Sequence, residues 1–599
     1  MKNKIKYALL TIVACALVVT FTACAGGKTD KDHIDVCEAS EPQSIDPGLN
    51  TTVDGSTMIS HLFSGLAQWK QNEKGEVVIK PELAKELPEP VRNADGTFTY
   101  TYHLIDNAKW TDGKPVTAQD FVFGWNRSVS VDLASDFSYM FEIVKGYDDI
   151  WADEPPADAK LDCKALDDKT FQVVCTSNVP YWNEFLAFPV FLPMREDVVD
   201  NEGMWATKPE TFVSNGPYKL ANWQHNSIIT LEKTDTYPFA DKITMPKINF
   251  YLSDNANNQL ANFKTKDWEF IKDMPTNEIA TLKREYVDEY TCDPQTGVYY
   301  ISWQANFDLS PVGGRHLTEP EQAEVRGAIN LLLDRNYITD YILQGGQKPS
   351  SSYVPDGIKD TDGKMFYQNA GKAGKPYYGY FPTAPEYINE NYAKATDILK
   401  KYYTFNDEGN ITDFPTMTYI YNTNEGHKAI AEYFQNVLAG LGIKMSLENQ
   451  EWATFLTTKK TGNFTMCRNS WIADYNDPIC FLDLHNTTSG NNASRLGRDG
   501  HANAKCYDLD FSDIPKYASK SVKGGTWTET YDVLTSLIKT EEDPATRNKL
   551  SHKAEDLLFK TNTTCPVYFY THNYLLQKNV KGHFSNPLGI DYFMYATLD

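Results

Sequence analysis

The chain has 599 residues, enough for several domains that each bury a hydrophobic core. It carries 80 acidic against 57 basic residues, a formal net charge of −23, which argues against nucleic acid and anionic lipid surfaces as partners. Aromatic residues make up 13% of the chain, a share that suits aromatic-lined clefts or large cores.

The amino terminus has the pattern of a secretory signal. Lys2, Lys4 and Lys6 precede an apolar run over 7–23, and a polar segment follows it. We therefore predict a signal peptide over 1–23 and a linker over 24–33. Removing the three lysines takes the net charge of the mature chain to near −26. An uncleaved membrane anchor is the alternative, and no later apolar run is long enough to span a bilayer.

Cys24 follows the small residue Ala23, and this junction resembles a lipobox, although Phe21 stands where leucine is usual. The resemblance implies that Cys24 is the lipid-modified first residue of the mature chain. Cys15 fits the box locally but would leave a short apolar core before it and an apolar tail behind it.

Eight further cysteines lie in the exported body of the chain, where thiols often pair. Cys163 and Cys175 flank a predicted hairpin and could bridge its strands, while the other pairings stay open. A C-x4-H and H-x4-C arrangement could in principle hold a metal, but its spacing is not that of a known zinc module. We expect no metal and no cofactor. This arrangement consists of Cys480, His485, His501 and Cys506.

Residues 416–447 predict a βαβ unit. An apolar run over 416–421 reads as a strand, 425–440 as a helix with one apolar stripe, and 443–447 as a second strand. Such a unit implies parallel strands and a right-handed crossover. His427 then lies in the turn at the carboxyl end of the first strand.

The segment 449–478 combines a helix, a strand and a turn. Residues 451–458 predict a helix that stops near Gly462, and 464–471 alternate as a strand does. Asp474 follows on the loop beyond the strand's carboxyl end, the edge at which open α/β sheets hold ligands. A turn or cap role is the alternative for Asp474.

Several motifs resemble one protein family. NQEW followed by W-x-A-D-Y-N-x-P resembles the substrate-binding proteins of oligopeptide ABC importers, which belong to the peptide and nickel type of solute-binding family 5. KWTDGKPVTAQDFVFGWNR, VSNGPYKL, YNT-x-x-x-HK and the tail CPVYFYTHNYLL resemble the same family. The resemblance covers nearly the whole mature chain.

The resemblance implies an α/β fold of the type II periplasmic-binding-protein kind, with two lobes joined by a hinge and a third, inserted domain. Lobe I would comprise 34–76, 212–296 and 568–599. The inserted domain would comprise 77–211, and lobe II would comprise 297–567.

The resemblance also implies the site. In this family the aspartate of the A-D-Y-N turn, here Asp474, binds the α-ammonium group of a peptide. Basic residues receive the peptide's carboxylate, and a lysine replaces the family's arginine at one of these positions. Aromatic and apolar side chains would line the rest of the cleft. The basic residues are Arg468, Lys459 and His427, and the lining residues are Trp452, Trp471, Tyr475, Tyr300 and Val53.

We therefore expect a monomeric, lipid-anchored, extracytoplasmic protein that captures oligopeptides and delivers them to the membrane permease of an ABC importer. No G-x-S-x-G, H-E-x-x-H, Walker A or dinucleotide motif is present, so we do not expect an enzyme. The alternatives are a binder of nickel chelates, haem or sugar, a peptide-sensing surface lipoprotein, and a secreted hydrolase.

Overall fold

The computed structural model describes residues 32–38, 41–200, 202–371 and 377–599. The predicted signal peptide, Cys15, Cys24 and most of the predicted linker lie outside these residues. No helix within the described ranges is long and apolar enough to cross a membrane.

One mixed sheet of eleven strands runs through the molecule. Ten of its strands form a continuous ladder, and the short strand Lys348–Pro349 pairs with one of them from the side. In spatial order the ten are Met445–Gln450, Met417–Asn422, Met466–Ile472, Tyr290–Trp303, Thr564–Leu576, Phe270–Ile271, Ile34–Cys37, Lys247–Tyr251, Ile228–Lys233 and Tyr218–Gln224.

The predicted βαβ unit is confirmed. Met417–Asn422 pairs in parallel with Met445–Gln450, and the helix Glu425–Ala439 connects them. Asn424 caps this helix by accepting from the backbone N–H of Gly426 at 2.9 Å and of His427 at 3.2 Å. The crossover therefore places His427 in the first helical turn, as the sequence predicts.

Two long strands, Tyr290–Trp303 and Thr564–Leu576, connect the halves of the sheet. Their register shifts between Pro294 and Val298, and Gly297 lies in that shift. A Cβ atom at Gly297 would lie 2.4 Å from a side-chain carbon of Ile472, so only glycine fits this close approach. The expected lobe boundaries at 296/297 and 567/568 fall within these two continuous strands.

Separate hydrophobic clusters pack on the two halves of the sheet. Ile34 and Phe250 belong to the cluster of the first half, whereas Ile301 and Met417 belong to that of the second half. The first cluster continues into a separate four-stranded sheet, whose strands in order are Val91–Arg92, Phe98–His103, Thr170–Cys175 and Cys163–Asp167.

The predicted bridge between Cys163 and Cys175 is not formed. The register places Cys163 opposite Val173 rather than opposite Cys175, and both thiols are free and buried. The Cys163 sulfur instead accepts from the side-chain amide of Asn126 at 3.5 Å. The hairpin that the two cysteines flank is present as predicted.

The remaining strands of the described residues form four two-stranded antiparallel ribbons. One of them pairs Ala67–Gln71 with Val77–Pro81, so the expected domain boundary at 76/77 would separate two hydrogen-bonded strands. The other ribbons pair Tyr507–Leu509 with Val522–Gly525, Val580–Lys581 with Thr597–Leu598, and Phe584–Ser585 with Asp591–Tyr592.

Helices cover the faces of the sheets, which confirms the α/β class. The helix after Thr117 begins with a capping box between Thr117 and Asp120. The longer helices are Val53–Leu62, Ala118–Val129, Ala256–Thr265, Ile279–Glu285, Glu319–Leu331, Ile388–Leu399, Glu425–Ala439, Trp452–Thr461, Val533–Thr540 and Pro544–Thr561. The short ones are Tyr147–Ile150, Trp182–Phe185, Arg335–Tyr337, Phe366–Asn369 and Ile479–Leu482.

Candidate functional site

The main cavity has a volume of about 400 Å³ and lies at the edge of the strand Met466–Ile472. Three parts of the chain that are distant in sequence form its walls. These are residues of 43–56, residues Asp136, Phe137 and Phe188, and residues of 452–474, with Leu588 and Ile590 closing one side. The cavity is therefore a product of tertiary assembly rather than of one local motif.

The strand Met466–Ile472 presents an open edge to this cavity. It pairs with Met417–Asn422 only at Met466 and Cys467, whereas its other edge is paired along its whole length with Tyr290–Trp303. The backbone N–H of Ala473 donates to Thr296 on that paired side at 2.8 Å. Because backbone groups alternate in direction along a strand, those of Arg468, Ser470 and Ile472 point to the open side. The Ser470 N–H there is held by the side-chain oxygen of Asn469 at 2.9 Å.

Asp474 lines the cavity just beyond this strand. Burial raises the pKa of its carboxyl group from an ordinary 3.8 to about 8, although a hydrogen bond from Tyr139 acts in the opposite direction. The Tyr139 hydroxyl lies 3.5 Å from the carboxylate, and no lysine, arginine or histidine of the described ranges forms an ion pair with it. The site is thus built for a cation that the protein does not supply.

The loop that carries Asp474 is held rigidly. The Asp474 N–H donates to the sulfur of Cys480 at 3.2 Å, and the Asn476 N–H donates to the carboxylate of Glu184 at 2.8 Å. Tyr475 stacks on Tyr181 with ring centroids 4.4 Å apart and is buried. Tyr475 is therefore not among the residues that line the cavity, where it was expected, because its ring packs on Tyr181 instead.

Arg468 lines the cavity near the other end of the strand. It is only 9% exposed, its guanidinium carbon lies 5.5 Å from the centre of the Tyr299 ring, and its Nε has no partner. Burial alone would lower the pKa of Arg468, but the surrounding tyrosine hydroxyls raise it above the ordinary value. Among the described carboxylates none forms an ion pair with Arg468, so this buried cation also lacks its counterion.

Lys459 provides a second cation on the cavity wall. Its ammonium donates to the side-chain oxygen of Asn469 at 3.3 Å. Burial, together with the positive charges of Arg468 and Lys460, lowers the pKa of Lys459 to about 8. Lys459 is therefore mostly charged at neutral pH and lies where an incoming carboxylate would stabilise it.

His427 does not line the main cavity. Its ring packs 5.5 Å from the Tyr299 ring, which Arg468 also contacts. Burial, together with the charge of Arg468, lowers the pKa of His427 well below its ordinary value. The imidazole is thus neutral at physiological pH and lies outside the lining of this cavity, whereas the resemblance implied that His427 receives the peptide's carboxylate.

Of the other expected lining residues, the structure places three in the cavity and one outside it. Trp452, Trp471 and Val53 line the wall. Tyr300 is buried and packs edge-to-face on Tyr353, with ring centroids 5.0 Å apart. Adjacent side chains of a strand point to opposite faces, so Tyr299, the residue before Tyr300, faces Arg468 instead.

Sequence reasoning identified only Val53 on the wall that the helix Val53–Leu62 contributes. The helix Val53–Leu62 begins at the cavity, where the Thr52 hydroxyl accepts from the Gly55 N–H at 3.3 Å, and Asp54 lies in its first turn. A threonine followed by an acidic residue is a helix-start signal that could have located this wall. The helix end also orients backbone N–H groups towards the cavity.

An ion pair crosses the mouth of the cavity. The ammonium of Lys460 lies 2.6 Å from the carboxylate of Asp136, and the ring of Phe137 lies 6.5 Å from that of Trp471. Both contacts join segments more than 300 residues apart. They hold the two sides of the cavity together in this conformation.

The four residues considered for a metal do not converge. The two ring nitrogens of His501 contact the Gly497 N–H at 2.9 Å and the Tyr507 hydroxyl at 2.8 Å, and the ring of His485 packs on Tyr353. Across the part of the chain that the structure covers, no group of three or more histidine, cysteine or acidic side chains is arranged to hold a metal ion.

The chain is similar to known proteins over almost its whole length. It is 30% identical to the periplasmic oligopeptide-binding protein OppA of Salmonella typhimurium over 589 residues, which cover 97% of this chain and 95% of that protein. The structure of Haemophilus influenzae OppA in complex with the peptide RPPGFSPFR superimposes with a TM-score of 0.75 at 28% identity, covering 95% of this chain and 99% of that one.

A third relative shows which arrangement of the sheet halves this structure has. The murein tripeptide binding protein MppA of Escherichia coli superimposes with a TM-score of 0.76 at 25% identity, covering 94% of this chain and 98% of that one. Its unliganded open form superimposes with a TM-score of only 0.60. The present arrangement therefore differs from that open form.

The family model of the bacterial extracellular solute-binding proteins, family 5 Middle, matches residues 78–493. Together with the shared architecture, this match confirms the type II periplasmic-binding-protein-like fold. The chain belongs to the bacterial extracellular solute-binding proteins of family 5.

Proposed function

We propose that this protein captures oligopeptides in the main cavity and delivers them to the permease of an ABC importer. The strongest support is a pair of ionisable groups without counterions, one on the strand Met466–Ile472 and one just beyond its end. Asp474 is a desolvated carboxylate without a cation, and Arg468 is a buried cation without a carboxylate. A peptide supplies both missing charges, an ammonium at one end and a carboxylate at the other.

The open strand edge between these charges suits a peptide backbone. Main-chain pairing along Arg468–Ile472 gives affinity without reading side chains, as in other proteins that add a strand to a sheet. Arg468 and Asp474 are six residues apart, so their Cα atoms are at most about 20 Å apart at a strand rise of about 3.3 Å per residue. This span fits a short extended peptide.

We propose that Arg468 and Lys459 receive the carboxylate. Both are positively charged at neutral pH and line the cavity, and Lys459 offers a point charge rather than a bidentate fork. His427 has a different role: it is neutral and packs on Tyr299, which in turn packs on Arg468. Trp452, Trp471 and Val53 form apolar walls that tolerate different side chains.

The expected domain division supports capture by closure. The long strands Tyr290–Trp303 and Thr564–Leu576 are the covalent links that cross the expected lobe boundaries, and their register shift near Gly297 is a place where bending disturbs few hydrogen bonds. We propose that the lobes close about this point and that the ion pair between Lys460 and Asp136 forms on closure.

We also propose that the mature protein is extracytoplasmic, is anchored by a lipid on Cys24 and is not an enzyme. The signal pattern over 1–23 and the polar segment after Cys24 support the anchor. An anchor of this type keeps the binding protein near the membrane that carries its permease.

Two measurements test the proposed function. Mass spectrometry of ligands released by denaturing the purified protein should find a mixture of short peptides with free amino ends. Expression in a strain that lacks its own oligopeptide binder but retains the permease should restore peptide uptake. Recovery of a metal chelate, haem or sugar, or cleavage of the bound peptide, would contradict the proposal.

A further inference from the structure

A second cavity of about 250 Å³ adjoins the main one. Asp54, Trp452 and Arg468 line both cavities, so the two share a wall. The second cavity also lies between distant parts of the chain, because Asp254 and Asp273 come from one side and Asn422 to Asn424 from the other. At about 30 Å³ per water molecule it holds roughly eight waters, room for one long side chain.

The second cavity is strongly acidic. Five carboxylates line it, and within the described residues none of the five forms an ion pair with a lysine or an arginine. Glu41 is paired with His225, and Glu451 caps the next helix through the Ala453 N–H at 3.0 Å. The carboxylates are Glu41, Asp54, Asp254, Asp273 and Glu451.

Two of these carboxylates, Asp254 and Asp273, interact with each other in the cavity wall. Burial raises the pKa of Asp273 to about 6, against the nearby charge of Lys272 and a hydrogen bond from Gln259, and the charge of Asp254 acts in the same direction as burial, so the two carboxylates lie close enough to repel each other. The ammonium of Lys272, the next residue in the chain, is directed instead to Asp591 at 3.1 Å and Glu38 at 3.7 Å. A positive charge on a ligand would therefore be stabilised next to Asp254 and Asp273.

Two unpartnered polar groups show that this cavity is a built site rather than a patch of surface acid. Arg468 is nine-tenths buried, lines the cavity and has an Nε atom without a partner. The side-chain oxygen of Asn422 is also buried without a partner and can accept a hydrogen bond from a ligand donor. An arginine at the junction attracts a carboxylate, and the acidic wall beside it attracts a cation.

We infer that the second cavity is a side-chain subsite for lysine or arginine, and that it selects peptides with a basic residue at or next to the carboxyl terminus. This inference rests on the proposed function, because it requires Arg468 to hold the peptide carboxylate. The residue whose carboxylate lies at Arg468 has its own side chain next to the acidic cavity. A lysine or arginine there meets the acidic wall, whereas a glutamate meets like charges.

A scan of single substitutions in an all-alanine pentapeptide tests the inference. Lysine, norleucine and glutamate are placed in turn at each position, and dissociation constants are measured by calorimetry. Norleucine matches the lysine stem without its charge. We expect lysine to bind about tenfold more tightly than norleucine at one position near the carboxyl end, and glutamate to bind at least about tenfold more weakly there, since tenfold corresponds to about 1.4 kcal/mol.

The double variant Asp254→Asn, Asp273→Asn should bring the ratio of lysine to norleucine affinity to within about twofold, because a ratio cancels any general loss of affinity. Asp241→Asn is the matched control, since Asp241 is exposed and lies outside both cavities. Equal binding of lysine and norleucine peptides at every position, or a preference that survives the double variant, overturns the subsite. Failure of every pentapeptide to bind would instead contradict the proposed function as well.

Discussion

Replacing Asp474 by asparagine should stabilise the ligand-free protein while it weakens peptide binding. Burial raises the pKa of this carboxyl group from 3.8 to about 8, so the native state holds the proton more tightly than the unfolded state does. A raised acid pKa means that native stability falls as the pH rises from about 4 towards 8. Allowing for partial solvent contact, we expect this loss to be about 2 to 4 kcal/mol at pH 8.

The asparagine variant lacks this titration. Its melting temperature should therefore exceed that of the native protein at pH 8 and approach it near pH 4, when both are free of ligand. Asp241→Asn serves as the control, because it removes an exposed carboxylate and should leave the melting temperature unchanged at both pH values. If the variant melts at a lower temperature than the native protein at pH 8, Asp474 stabilises the fold, and the reasoning that its carboxylate lacks a partner without ligand is refuted.

The same pKa predicts that peptide binding releases a proton. At pH 7 a group with a pKa of about 8 is roughly nine-tenths protonated, and pairing with the peptide ammonium should ionise it. Lys459, with a pKa of about 8, should take up only about a tenth of a proton. The α-amino group of the free peptide, with an ordinary pKa of about 7.7 to 8.0, takes up roughly another tenth of a proton when it binds as the ammonium. Calorimetry in buffers of different ionisation enthalpy should thus report a net release of about 0.7 proton. No release, or an equal release in Asp474→Asn, would refute the reasoning.

Three further predictions concern the other charged groups and the anchor. Calorimetry with peptides of two to six residues should show that Arg468→Ala weakens the binding of every length by about 1 to 3 kcal/mol. Lys459→Ala should weaken the binding of some lengths only, and any effect of His427→Ala should not depend on length. Equal losses of binding free energy in all three variants would contradict this prediction. Lys460→Met should raise the dissociation rate up to about fivefold at low salt in stopped-flow experiments, because an exposed ion pair contributes at most about 1 kcal/mol; an unchanged rate would show that the pair does not hold the cavity closed. Cys24→Ser should release mature protein from the membrane fraction or leave uncleaved precursor, and a processed protein that stays membrane-bound would rule out the lipid anchor.

Local chemistry predicted much of the scaffold. The helix that ends at Gly462 does so because this glycine adopts a φ of 73°, a left-handed conformation that a glycine takes at little cost. The alternation of 464–471 predicted the strand and placed Asp474 beyond its end, which is where the structure has it. These features depend on residues close together in sequence.

The failures concern features that depend on distant residues. Tyr475 and Tyr300 were expected in the cavity, but Tyr181 and Tyr353 provide better packing partners for their rings. His427 packs on Tyr299, which also contacts Arg468 and lies more than 120 residues before His427 in the chain. No short motif brings together such partners, so a sequence without its fold gives no direct sign of them.

The acidic lining of the second cavity could not be predicted from the sequence for the same reason. Asp254 and Asp273 lie near each other in the chain, but Glu451 and Arg468, which line the same cavity, come from a distant part of it. Each residue alone reads as an ordinary surface charge. Only their common cavity distinguishes them, because among the described residues no lysine or arginine forms an ion pair with its carboxylates.

The central claim is that Asp474 receives the amino terminus of a peptide. The most direct measurement is a calorimetric cycle that combines a free-amine peptide and its N-acetylated form with the native protein and Asp474→Asn. We predict that acetylation costs the native protein about 2 to 4 kcal/mol of binding free energy and costs the variant almost nothing, because the charge pair is absent in both single changes. Equal affinities of the native protein for the free and acetylated peptides, or an equal acetylation cost in the variant, would contradict the claim.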